Sequence, residues 1–143
     1  MADRTESTIM INATPSDILD VIADLEAYPQ WSEGITSVEV IESEKNRPTI
    51  ARFVLNAGVI NDTYELAYTW KSDVVEWHLV RATLLSLMDG SYSLRDLGNG
   101  TTEVAYALTV DIKMPMLGML KRKAEKTIID TALQGLKARV EQG

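Results

Sequence analysis

From residue 35 to 111 apolar and polar positions alternate, and beyond Pro115 the apolar period lengthens to that of a helix. Val38 and Val40 flank Glu39, and Ala51, Phe53 and Leu55 flank Arg52. Tyr64, Leu66, Tyr68 and Trp70 alternate with Glu65 and Thr69, and Val75, Trp77 and Leu79 with Glu76 and His78. Met88, Gly90, Tyr92 and Leu94 alternate with Asp89, Ser91 and Arg95; Val104, Tyr106, Leu108 and Val110 alternate with Glu103 and Thr109. Turn chemistry at Asn46-Arg47-Pro48, Asn56-Ala57-Gly58, Lys71-Ser72-Asp73 and Gly98-Asn99-Gly100 separates these runs. The pattern predicts an antiparallel meander of six short strands with one apolar face.

Upstream, residues 4–12 read as a weak strand with Ile9 and Ile11 on one face. Thr14-Pro15-Ser16-Asp17 is a helix start: a capping threonine, proline at the first helical position, and an acidic residue to complete the box. Ile18, Val21, Ile22 and Leu25 follow at helical spacing, and Pro29 forces a break before a second short turn near Trp31. Downstream, Leu117, Leu120, Ala124, Ile128, Leu133, Leu136 and Val140 form one stripe of a helix about 39 Å long. The only partner for that stripe is the apolar face of the sheet. The expected fold is α+β: a curved seven-stranded antiparallel sheet around a long C-terminal helix.

Composition narrows the chemistry. The 143 residues suit a single domain over 1–143, with 45% apolar and 24% charged side chains. Absence of cysteine excludes disulfides and thiol catalysis, and one histidine excludes two-histidine catalysis and His-rich metal sites. A net charge of -7 repels phosphate backbones, so no nucleic-acid partner is expected. Neither a signal peptide nor a membrane-spanning run is evident, and a cytoplasmic location is the default expectation.

The element order resembles the helix-grip fold of START domains, pollen-allergen-like proteins and bacterial polyketide cyclases. Ala13-Thr14-Pro15-Ser16-Asp17, Leu25 to Trp31, Gly90-Ser91-Tyr92, Gly100-Thr101-Thr102-Glu103-Val104 and the helix from Leu120 to Glu141 are similar to the polyketide cyclase/dehydrase and lipid-transport group, including its coenzyme Q-binding branch. The resemblance implies a group that carries ligands, performs cyclisations or has no assigned activity, with no universal catalytic motif to transfer.

Candidate lining residues are Trp31, Phe53, Tyr64, Tyr68, Trp77, Met88, Tyr92 and Tyr106, with Leu117, Leu120, Ala124 and Ile128 from the helix. Core filling explains any one of them; together they leave a gap, because Ala124, Ala132 and Gly135 fill little space. Centring a tight turn on Ser72 pairs Trp70 with Asp73 and, counting back, Asp62 with Arg81 on the apolar face. That pair reads either as a rim salt bridge or as a polar anchor at the cavity mouth, with Arg81 open to a ligand. His78 falls on the opposite face, and Gly90 is expected opposite Tyr106. Met114 to Leu120 is placed near the entrance, and the basic run Lys121, Arg122, Lys123 and Lys126 reads as a solvated face or as a transient membrane-surface or anionic-ligand contact.

Two functional classes follow. The favoured one is binding or transport of a hydrophobic small molecule, such as a lipid, isoprenoid quinone or polyketide-like compound. The alternative is a polyketide cyclase or dehydratase that folds a reactive substrate in a shaped pocket. A protein-interaction module is a weaker third. Neither metal nor cofactor is expected: the cavity-facing positions offer one carboxylate, Asp62, and no glycine-rich dinucleotide loop follows a strand. Catalytic residues, ligand identity and oligomeric state are left open.

Overall fold

A computed structural model describes residues 5–32, 34–57, 60–113 and 118–142; at 57, 60 and 118–121 it describes the backbone alone. The order is β1 (Thr5–Ile11), α1 (Pro15–Ala23), a 3-10 helix (Leu25–Gln30), β2 (Ile35–Glu44), β3 (Arg47–Ala57), β4 (Ile60–Trp70), β5 (Val74–Ala82), β6 (Leu85–Gly98), β7 (Thr101–Ile112) and α2 (Gly118–Glu141).

Local sequence accounts for most boundaries. Thr14 caps α1 by accepting a hydrogen bond from the Asp17 amide at 3.2 Å, with Pro15 in the first turn. Pro29 has no amide hydrogen and disfavours α-helical geometry at Tyr28, and the chain passes here through the 3-10 helix. Lys45 and Asn46 take positive φ values of 53° and 65°, the two central positions of a tight hairpin between β2 and β3.

All seven strands form one antiparallel sheet in the order β1-β7-β6-β5-β4-β3-β2. Register shifts interrupt the ladder at several points, and two of them leave a large apolar residue unpaired. Val40 pairs with Ala51 and Glu42 with Ile50, leaving Ile41 unpaired; Leu66 pairs with Leu79 and Glu65 with Arg81, leaving Val80 unpaired. Both extra residues are large, apolar and exposed, at 43% and 48%.

The interior has two parts. Aliphatic side chains fill the first: Ile11 of β1, Ile18 and Ile22 of α1, Val104 and Leu108 of β7, and Ile129, Leu133 and Leu136 of α2 are buried together. Here α2 lies on β1, β7 and α1. The helix's buried stripe runs Ala124, Glu125, Ile129, Ala132, Leu133, Leu136, so Ile129 and not Ile128 is the fully buried isoleucine. Glu125 is wholly buried. Its carboxylate accepts from Thr5 Oγ1 at 2.6 Å and from the Val110 amide at 2.8 Å, tying α2 to both strands beneath it. Near the helix end, Lys137 donates to the Met10 carbonyl at 2.8 Å, and Glu141 accepts from the Asn12 amide at 2.9 Å. Aromatic side chains occupy the second part, under β3 to β7, and leave it hollow.

Candidate functional site

The hollow part is a cavity of about 350 Å³ between the concave sheet, the 3-10 helix and the middle of α2. Alternation builds its wall. Phe53 and Leu55 come from β3, Tyr64, Leu66 and Tyr68 from β4, Trp77 from β5, Met88 and Tyr92 from β6, and Tyr106 from β7. Tyr28 closes one side, and Thr127, Ile128, Thr131 and Ala132 of α2 close another. All five tyrosines of the chain, at 28, 64, 68, 92 and 106, line this space.

The rings support one another. Phe53 stacks on Tyr64 with centroids 5.4 Å apart, and Tyr68 meets Trp77 at 5.7 Å. Trp77 then contacts both Tyr92 and Tyr106 at 5.4 Å, and those two meet edge-on at 4.7 Å. Each ring is braced by its neighbours on the sheet, which keeps it from collapsing into the empty space. Gly90 makes this arrangement possible. It pairs with Trp77 on one side and Leu108 on the other, and the indole lies directly across its Cα. The expected Gly90–Tyr106 pairing is therefore off by two positions, since Tyr106 pairs with Tyr92. The glycine makes room for a ring, but the ring is Trp77.

The hydroxyls define the polar content. Tyr28 donates to the Ile22 carbonyl at 2.5 Å. Among the described residues, the hydroxyls of Tyr64, Tyr68, Tyr92 and Tyr106 and the Trp77 Nε1–H make no hydrogen bond, yet none is sealed from the cavity space: the occluded, unpartnered side-chain atom is Trp31 Nε1, elsewhere. Burial pushes all five phenols above their ordinary pKa, and for four of them neighbouring tyrosines add to the rise. They are neutral hydrogen-bond donors near neutral pH rather than bases. Among the described residues no charged side chain lines the cavity, and no group of histidines and carboxylates could hold a metal ion.

The mouth is marked by exposed or half-exposed wall residues: Asn56 at the end of β3, Gly34 and Ile35 at the start of β2, and Thr127 and Thr131 on α2. The Asn56 amide donates to the Gly34 carbonyl at 2.6 Å and joins two sides of this rim.

The sequence-derived set divides clearly. Phe53, Tyr64, Tyr68, Trp77, Met88, Tyr92, Tyr106 and Ile128 line the cavity. Ala124 is buried but packs in the aliphatic part, one turn away from the wall. Leu117 and the side chain of Leu120 lie outside the described residues, as does most of the Met114–Leu120 segment expected at the entrance. Trp31 packs against α2 at Gly135, where a Cβ would stand 2.2 Å from the Trp31 carbonyl oxygen. Arg122, Lys123 and Lys126 are exposed, with Lys126 bonded to Asp130 at 2.8 Å.

Arg81 is a correction. The turn after β4 is wider than a Ser72-centred one and pairs Trp70 with Val75, a shift of two that preserves parity up to Leu79. The bulge at Val80 then reverses it, so Arg81 stands on the outer face opposite Glu65, 3.5 Å from its carboxylate and largely exposed. There it joins a row across four strands with Glu39, Arg52 and Glu65. Asp62 is buried without an arginine. Its two oxygens accept four backbone amides, from Thr63 and Thr83 and from Leu84 and Leu85, at 2.8–3.1 Å. It organises the β5–β6 turn rather than anchoring a ligand. His78 faces outward, as parity requires.

Sequence reasoning missed Tyr28, Ser32, Ile35, Asn56, Thr127 and Thr131 as wall residues. Leu55 and Leu66 share the phase of Phe53 and Tyr64, and that phase could have found them. The 3-10 helix and the mouth have no such periodic signal.

Comparison with known structures places the architecture. A START superfamily protein from Mycobacterium smegmatis is similar over 97% of each chain, with a TM-score of 0.89 and 22% identity. The ZhuI aromatase/cyclase from a Streptomyces species is similar over 99% of this chain and 95% of its own, at 0.82 and 13%. A STAR-related lipid transfer protein from Xanthomonas axonopodis is similar over 96% and 85%, at 0.75 and 15%. At these identities the likeness is one of fold, the helix-grip fold expected from the element order. No curated protein matches the chain. The family described as polyketide cyclase/dehydrase and lipid transport matches residues 11–137, nearly the whole length. With the sheet, the gripping helix and the hollow between them in place, that match shows that the chain belongs to the polyketide cyclase/dehydrase and lipid transport family.

Proposed function

We propose that this chain binds and carries a hydrophobic small molecule inside the aromatic cavity. The observation that supports it is the braced, apolar hollow itself. By the scale measured for core cavities, about 24 cal/mol per Å³, an unfilled space of this size forgoes up to about 8 kcal/mol of packing, an upper bound because water enters through the mouth. A chain selected only to fold would close such a space with aliphatic side chains, as it does beneath α1. Family membership and the likeness to a lipid transfer protein support the same reading.

A second reading has one observation in its favour: several phenol hydroxyls and an indole N–H open on one space, where they could polarise the carbonyl of a polyketide-like substrate. Their resistance to ionisation makes them poor proton-transfer groups near neutral pH, so they would orient more than they would react.

The test is native mass spectrometry of the purified chain. One equivalent of a small molecule is expected on the folded chain, released on denaturation and excluded by Ala132→Phe in the cavity wall. A bare mass in every preparation, together with a melting temperature unmoved by a panel of apolar compounds, overturns the proposal.

A further inference from the structure

The wall beneath the sheet is rich in groups that can donate a hydrogen bond, the phenols among them able to accept one as well. Tyr64, Tyr68, Tyr92 and Tyr106 each bring an O–H, and Trp77 an N–H that can only donate. None of these has an acceptor among the described residues, and none is occluded. Asp62, the acid that strand parity assigns to the inner face, has both its oxygens committed to backbone amides. Arg81 points away from the cavity and bonds Glu65 on the outer face. The space therefore has donors to satisfy and, among the described residues, no cation to neutralise an anion.

We infer that the cavity selects an uncharged ring compound bearing acceptor oxygens, such as a ketone, quinone or ether, and turns away carboxylates and phosphates of the same shape. The inference rests on the cavity being the binding site, as proposed above. Size sharpens it: at about 30 Å³ per water-sized group, 350 Å³ holds about a dozen non-hydrogen atoms. That is a bicyclic frame with a substituent, not the whole of a two-chain lipid. Rings are favoured over chains because the wall offers flat faces, among them the stacked pair Phe53 and Tyr64 and the tilted pair Trp77 and Tyr92. A carboxylate can accept the same phenol hydrogen bonds, but with no counter-charge among the described residues its desolvation costs several kcal/mol more than that of a ketone oxygen.

Three naphthalenes substituted at one ring position separate these terms: the methyl ketone (acetonaphthone), the isosteric hydrocarbon (isopropylnaphthalene) and the isosteric anion (naphthoate). Equilibrium dialysis at neutral pH should find the ketone bound about tenfold tighter than the hydrocarbon and at least about a hundredfold tighter than naphthoate. Among Tyr64→Phe, Tyr92→Phe and Tyr106→Phe, at least one should weaken the ketone about tenfold and leave the hydrocarbon unchanged. Thr127→Trp at the exposed mouth should block the ketone without disturbing the core, and does so even if Ala132→Phe fails to fold. Naphthoate bound as tightly as the ketone, or the hydrocarbon equal to it, overturns the inference and leaves cavity binding standing. Ketone binding that survives Thr127→Trp together with all three Phe variants places it outside the cavity and overturns the inference as well. If none of the three binds, the inference falls, and native mass spectrometry then decides alone whether the binding proposal falls with it.

Discussion

Replacing Gly90 with alanine puts the central packing contact of the cavity under test. An ideal Cβ at this position stands 2.3 Å from Trp77 Cε2, 2.4 Å from Cζ2 and 2.5 Å from Nε1. The indole must retreat by about 1 Å to regain ordinary contact. Tyr68, Tyr92 and Tyr106 flank it at centroid distances of 5.4–5.7 Å, so the open direction is into the cavity. Overpacking of this kind costs about 1–3 kcal/mol. Alanine returns about 0.5–1 kcal/mol by stiffening the unfolded chain, so the expected net loss lies between zero and about 2.5 kcal/mol. Urea unfolding followed by circular dichroism should show a lower midpoint with an unchanged slope. The contact itself is isolated by a double-mutant cycle with Trp77→Leu, which removes the three clashing atoms. In that background Gly90→Ala should become neutral or slightly stabilising, a coupling of about 1–3 kcal/mol. Equal cost in both backgrounds, or no cost in either, would refute the argument that the indole occupies the space of the missing Cβ.

Other outcomes follow from the same geometry. The five phenols keep their protons in the fold at pH values where the unfolded chain has lost them, so stability should be intact below about pH 10 and fall above it, by about 1.4 kcal/mol per pH unit for each phenol still protonated. Tyrosinate absorbance should accordingly rise in one cooperative step with unfolding; an early, graded rise at full ellipticity would contradict the burial. Asp62→Ala leaves four backbone amides without their acceptor and should cost about 2–4 kcal/mol in chemical denaturation, while an effect below about 0.5 kcal/mol would contradict its clamping role. Arg81→Met removes only an exposed pair with Glu65 and should change stability by less than about 0.5 kcal/mol and leave small-molecule uptake unaltered; loss of uptake would return Arg81 to the site.

Alternation and its change of period determined much of this protein without reference to any other chain. The order of elements along the chain, the long last helix and the inward aromatic set from Phe53 to Tyr106 all follow from which positions are apolar, because a strand's two faces and a helix's stripe are properties of local geometry. Parity also tolerates error. The β4–β5 pairing differs from a Ser72-centred hairpin by two residues, and Tyr68 and Trp77 face the cavity all the same. The family resemblance was legible too, from that order of elements together with segments such as Ala13 to Asp17 and Leu25 to Trp31.

Tertiary structure decided what parity could not. A single unpaired residue, Val80, sends Arg81 to the outer face, and a bulge leaves no mark in a pattern of alternating types. Asp62 looked like a partner for that arginine; only the approach of the β5–β6 turn shows that four amides occupy it. Tyr28 enters the wall from a 3-10 helix, whose short, non-repeating geometry carries no periodic signal. On α2, the packing against β1 and β7 buries Ile129 and turns Ile128 toward the cavity, a rotation of one residue that helical spacing alone leaves undetermined. Faces are set residue by residue along the chain, whereas the depth of the hollow, its mouth and its freedom from charge depend on how separate elements meet, which is a property of the packed sheet and helix together.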